Sequence, residues 1–200
     1  MQENDSVLYE LKNYVAYITL NKPEKGNVVN NENLPLISHY IEKANSDPEC
    51  RIIILQGKNG VFCRGMDFLN LIKNAKSGEI KKEFTDPYKF AVKAIRNSSK
   101  PVIGAIDGEV LAGGMGLSLA CDIVIATERS TFGLSEVLFG IIPAFVFPFL
   151  LERVSYKRAR YLVLSSKKIS ATEAYYFGIV DEVVSEDKFN KVIKDTIKRL

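Results

Sequence analysis

Apolar and polar positions alternate along residues 7–11 and again along 14–20, on either side of Lys12 and Asn13, a pattern that predicts a β-hairpin. The turn-forming run Asn21-Lys-Pro-Glu-Lys-Gly26 follows. Leu36, Ile37, Tyr40, Ile41 and Ala44 then recur at helical spacing, which predicts an amphipathic helix over 34–45 that Asp47-Pro48 stops. The apolar run in 51–56 predicts a buried strand. A glycine-containing loop, 57–67, leads into helices expected over 68–76 and 88–96, with a charged and mobile region, 77–87, between them.

The second half opens on a short apolar run, 102–106, expected to be a buried strand. Asp107-Gly108 turns the chain, and Gly113-Gly114 opens a helix of small residues that ends near Cys121. Strands are expected over 123–126 and 131–134, and helices over 143–151 and 156–164. Ser170-Ala-Thr-Glu173 has the spacing of a capping box, in which side chain and backbone satisfy each other's hydrogen bonds at a helix start, and Gly178 ends that helix. A last strand, 179–184, and a charged helix, 187–200, complete the pattern. Alternating strands and helices predict a single α/β domain over 1–200. No capping residue follows Leu200, so C-terminal helices are expected to be missing after residue 200.

Composition changes this picture only by exclusion. A chain of 200 residues with 46% hydrophobic and 26% charged residues can bury a real core. Its net charge of +3 is spread out, and no basic run is interleaved with aromatics, which argues against nucleic acid. Residues 1–6 are polar and acidic, unlike a secretory signal, and the apolar stretch 140–151 is short and holds two prolines, so no membrane partner is expected. Cys50, Cys63 and Cys121 have no metal-like spacing and suggest a reducing compartment, the cytoplasm. No metal and no bound cofactor are expected.

The candidate chemistry sits on glycines. At Gly113 and Gly114 a ligand can approach the backbone closely, and the first N–H groups of the helix lack internal partners at the positive end of its dipole. Such a place favours an anion, or an oxygen that becomes one. In Phe62-Cys-Arg-Gly-Met-Asp67, Gly65 permits a tight turn that makes the Met66 N–H a second candidate donor. Two backbone donors on separate elements suit an enolate, whose charge develops on one oxygen. Each half also reads as a glycine-rich turn without a ligand. Glu136 lies between a strand and an apolar run, where burial would raise it toward a working acid/base; it also reads as a helix N-terminal acid. Asp67 reads as a helix cap, Asp122 as a turn closer and His39 as a solvated or structural residue. Cys63 reads as a packed side chain, and the aromatic run Tyr175, Tyr176 and Phe177 as core.

Together Phe62-Cys-Arg-Gly-Met-Asp67, Gly113-Gly114 with Cys121-Asp122, and Phe132-Gly-Leu-Ser-Glu136 with Gly140-Ile-Ile-Pro143 resemble the crotonase (enoyl-CoA hydratase/isomerase) superfamily. The resemblance runs from the hairpin to Val184. It implies a spiral of repeated ββα units, trimers or hexamers, and an acyl thioester as substrate. It places the oxyanion hole on the N–H groups of Met66 and Gly113. The hydratases carry two catalytic glutamates; one matches Glu136, and the other position is Gly116 here.

The run Ala144-Phe-Val-Phe-Pro-Phe-Leu-Leu151 makes the chain most similar to the dehydratases of polyketide β-branching cassettes, such as the bacillaene pathway. That likeness implies elimination of water from 3-hydroxy-3-methylglutaryl on acyl carrier protein, giving 3-methylglutaconyl. Glu136 would be the acid/base. Arg64, with Gly114 and Ala144, would contact substrate, and Lys73, Lys76, Lys81 and Lys82 would steer an acidic carrier protein or simply form a solvated face. Three other readings share the fold: an enoyl-CoA isomerase or hydratase, the decarboxylase partner of the same cassettes, and a catalytically silent scaffold subunit.

Overall fold

A computed structural model of the chain describes residues 5–66 and 82–200. The helix expected over 68–76, together with Asp67, Lys73, Lys76, Lys81 and the side chain of Lys82, lies outside the described part.

The hairpin pairs β1 (Val7–Lys12) with β2 (Val15–Leu20). Asn13 and Tyr14 both take positive φ, 51° and 66°, the turn geometry that matches the twist of a tight hairpin. Beside it stand β3 (Ile52–Gly57), β5 (Val102–Ile106), β7 (Ile123–Thr127) and β10 (Glu182–Val184), all parallel, in a sheet ordered β1-β2-β3-β5-β7-β10. Parallel strands bury both faces, which is why they read as unbroken apolar runs. Ile53, Leu55, Val102 and Val124 join the larger core, and Ile52, Ile54, Ile103 and Ile125 join a smaller one.

A second sheet, β4 (Val61–Cys63), β6 (Glu109–Leu111), β8 (Thr131–Gly133) and β9 (Ile169–Ser170), follows the first around the molecule. Each long strand β3, β5 and β7 hands the chain to a short one, β4, β6 and β8, so the chain winds as a spiral of ββ steps with helices between them. Gly108, with φ of 96°, makes one such corner: a Cβ there would lie 1.8 Å from the Gly60 carbonyl oxygen.

The helices are α1 (Leu34–Ser46), α2 (Lys82–Arg96), α3 (Gly113–Leu119), α4 (Phe147–Arg153), α5 (Tyr156–Ser165), α6 (Ala171–Phe177) and α7 (Glu186–Ile197). Ile37, Ile41 and Ala44 turn α1 inward, and the capping box Ser170/Glu173 opens α6 as its spacing predicts. The turns between strand and helix are pinned by carboxylates. Asp122 Oδ2 accepts from the Val102 N–H at 2.8 Å, and Asp181 Oδ2 from the Val124 N–H at 2.7 Å. Arg153, at the end of α4, joins Asp181 at 3.0 Å and also donates to the carbonyls of Cys121 and Asp122.

Five expectations change. The stretch 82–87, read as a mobile linker, is helical and begins α2, with Pro87 inside the helix. The helix expected over 143–151 starts at Phe147 instead; 141–146 forms irregular turns, and Pro148 sits in its first turn, where a missing N–H does no harm. Only Glu182–Val184 of the last strand pairs. Helix α7 ends at Ile197, with the Lys198 N–H bonded back to the Lys194 carbonyl, rather than running to Leu200. Tyr175 and Tyr176, read as core, are exposed, because α6 is only two turns long and turns Ala171 and Ala174 inward instead.

Candidate active site

The site forms where α3 begins. Ala112 precedes it with φ 48° and ψ −119°, a sparsely populated conformation for a residue with a side chain. It is held by its N–H bond to the Gly133 carbonyl and by the Met115 N–H bond to its own carbonyl, both 2.9 Å. Gly113 is the first helical residue, so its N–H has no acceptor within the helix.

Gly65, with φ of 92°, brings a second segment against this one. A Cβ on Gly65 would lie 2.8 Å from the Ala112 Cβ and 3.0 Å from the Gly113 nitrogen, so the approach requires glycine. The segment is tied down from outside. The Arg64 N–H donates to the Gly26 carbonyl and the Val29 N–H to the Gly65 carbonyl, and Met66 pairs with Val29 as a parallel bridge. The Met66 nitrogen lies 3.4 Å from where a Cβ on Gly113 would stand.

Met66 and Gly113 line one pocket of about 320 Å³ with Glu136, Thr85, Tyr88 and residues 141–146. Glu136 begins the 3-10 turn Glu136–Phe139, closed by Gly140 in the left-handed conformation. The residue is 3% exposed, and among the described residues Oε2 has no hydrogen-bond partner. Burial pushes its carboxyl up to about 6, against the pull of the Glu136 and Ser135 backbone N–H groups. A buried carboxyl with a free oxygen, poised near neutrality in an apolar pocket, is suited to moving a proton. The Met66 and Gly113 backbones line the same pocket, and two backbone N–H groups on separate elements are suited to an oxygen that gains charge.

The remaining expected residues divide. Ala144 lines the pocket. Gly114 does not: it seats α3 on β4, where a Cβ would lie 2.2 Å from the Cys63 carbonyl oxygen. Arg64 is absent from the described lining, because its guanidinium turns outward to Glu109 at 2.5 Å, an oxygen pair that Lys168 also holds. Cys63 is fully buried, its sulfur accepts from the Gly65 N–H, and burial raises its thiol to about 12, so it packs rather than attacks. His39 is exposed on α1 beside Tyr40.

The lining residues Thr85 and Tyr88 were not singled out by pattern, and Ile141, Ile142 and Phe145 were quoted only within longer motifs, with no role of their own. Tyr88 carried one indirect signal, the glycine at 116. A Cβ there would lie 2.0 Å from the Tyr88 hydroxyl oxygen, which fills the space a side chain at 116 would need.

The family model described as enoyl-CoA hydratase/isomerase matches residues 10–200. The chain belongs to this family. The bacillaene synthase dehydratase PksH of Bacillus subtilis is 34% identical over 174 residues, covering 86% of this chain and 66% of that protein. The 4-chlorobenzoyl coenzyme A dehalogenase-1 of an Arthrobacter species is 31% identical over 190 residues, covering 93% of this chain and 68% of that protein. An enoyl-CoA hydratase structure from Bacillus anthracis superposes with a TM-score of 0.89 at 27% identity, covering 97% of this chain and 76% of that one. The chain thus spans about two thirds of the length of these curated relatives, and the spiral of ββα steps is the crotonase fold. A dehydratase and a dehalogenase on one family fold show that the reaction is set by the site. Among the described residues no helix is long and apolar enough to cross a membrane.

Proposed function

We propose that this chain carries the active site of a dehydratase that eliminates water from a 3-hydroxyacyl thioester. The substrate we favour is 3-hydroxy-3-methylglutaryl on an acyl carrier protein. The carrying observation is Glu136, buried, with one oxygen unpartnered among the described residues and its carboxyl near 6, in the same pocket as Met66 and Gly113.

Above pH 6 the Glu136 carboxylate takes the α-proton of the thioester. The C–H electron pair moves into the carbonyl, whose oxygen is stabilised by the two N–H groups as an enolate. When the enolate collapses, the electrons form the α,β double bond, the β-carbon–oxygen bond breaks, and Glu136 returns its proton to the leaving hydroxyl. The products are the enoyl thioester and one water, and Glu136 ends as it began. One carboxyl suffices if both protons move on one face. The 34% identity to a bacillaene synthase dehydratase supports elimination in polyketide assembly.

A second reading, an enoyl-CoA isomerase or hydratase, is favoured by one observation: no described lining residue is cationic, whereas the 3-hydroxy-3-methylglutaryl group carries a distal carboxylate. The deciding experiment is intact-mass analysis of acyl carrier protein loaded with that group, incubated with the parent and with Glu136→Gln. Loss of one water with the parent alone supports the dehydratase. No loss, with double-bond migration in a β,γ-enoyl-CoA, assigns the isomerase.

A further inference from the structure

Tyr88 is among the largest fully buried side chains of the described residues, yet it carries a hydroxyl into an apolar pocket. That hydroxyl donates to the Gly113 carbonyl at 2.7 Å. The ring edge lies 3.1 Å from where a Cβ on Gly113 would stand, and the hydroxyl oxygen 2.0 Å from where a Cβ on Gly116 would stand. Residues three apart share a helix face, so Tyr88 runs along the first turn of α3 over two glycines that make room for it. Phe145 backs the ring edge-on, with centroids 6.3 Å apart.

The peptide that carries the Gly113 N–H joins two residues of opposite character. Ala112 is held in a sparsely populated conformation, which persists only where the surroundings over-determine it. Gly113 has no Cβ to restrict its own dihedrals. Bonds at Ala112 fix the first side of this peptide, and on the second side a side chain, Tyr88, grips Gly113 through its carbonyl. Burial, with Cys63 and Glu136 nearby, pushes the phenol well above its ordinary value, so the hydroxyl keeps its proton and its donor role.

We propose that Tyr88 is a positioning residue for the oxyanion hole: by holding the Gly113 carbonyl it fixes the first turn of α3 and aims the Gly113 N–H into the pocket. The proposal rests on the reading of that N–H as an oxyanion donor. It also explains the glycine at 116, where any side chain would expel the hydroxyl from its acceptor.

The test uses a chromophoric thioester, 4-dimethylaminocinnamoyl-pantetheine, whose absorbance moves to the red when its carbonyl is polarised. The parent is expected to shift the band. Tyr88→Phe is expected to bind within about threefold and to lose more than half of the shift. With substrate its kcat falls about tenfold while KM stays within about twofold, the pattern of a loss felt mainly in the transition state. Gly116→Ala, which displaces the hydroxyl, should reproduce the loss in the parent and add nothing in Tyr88→Phe. A full red shift and unchanged kcat in Tyr88→Phe, or additive effects of the two substitutions, overturn the proposal. A parent that leaves saturating probe unshifted removes the oxyanion hole itself, and Tyr88's role with it, a result distinct from the failure of Tyr88 alone.

Discussion

Gly65 and Gly113, 48 positions apart in sequence, meet backbone to backbone: a Cβ on Gly65 would stand 3.0 Å from the Gly113 nitrogen. Both proposed oxyanion donors depend on this contact, because Met66 follows the first glycine and the second carries its own N–H. Gly65→Ala combines a positive φ with a clash against Ala112 and Leu111. It is expected to lower kcat about 100-fold, the scale of losing one donor, and to destabilise the fold by about 1–3 kcal/mol. Steady-state kinetics and urea unfolding of the same preparation check both.

Glu136 gives the pH dependence a definite sign. Its folded value, about 6, lies above the 4.5 of a free glutamate. The folded state therefore binds this proton more tightly, and the stability that goes with it is fully present below pH 4.5 and lost as pH rises through 6. The buried charge costs about 2 kcal/mol above that window, at about 1.4 kcal/mol per unit. Glu136→Gln is expected to be more stable than the parent at pH 8, by up to that amount, and close to it at pH 4. Its activity should be abolished. The parent's kcat/KM should fall tenfold per pH unit below about 6. Denaturation at the two pH values and a pH–rate profile measure these.

Arg153 and Arg96 separate a buried guanidinium from an exposed one. Arg153 is 13% exposed and bonds Asp181 and two backbone carbonyls, while Arg96 and its partner Glu152 are both about half exposed. Arg153→Ala is expected to lose about 1–3 kcal/mol by removing the donor to the part-buried Cys121 carbonyl and the tie to Asp181, and Arg96→Ala less than about 0.5 kcal/mol. Urea midpoints decide it.

Arg64 provides a negative control. Its guanidinium is bound to Glu109 outside the pocket, so Arg64→Ala should leave KM for the acyl thioester within about twofold. A tenfold rise in KM would place Arg64 on the substrate after all.

The sequence by itself determined the long elements and the motifs that lie within them. The hairpin and α1 repeat an apolar period, β3 and β5 are unbroken apolar runs, α3 opens on a glycine pair and α6 carries its capping box, so each is read locally. Met66, Gly113 and Glu136 were legible because each sits in a short motif whose glycines or flanking apolar residues announce a turn. Strands β4, β6 and β9 were not, since two or three residues hold no period; pairing in the second sheet makes them strands. Nor was the direction of Arg64, which Glu109 and the turn at Gly26 decide from elsewhere in the chain. The placing of Tyr88 over Gly113 and Gly116 belongs to the tertiary structure alone. A glycine's missing side chain says that something comes close, but only the packing of α2 on α3 says what it is.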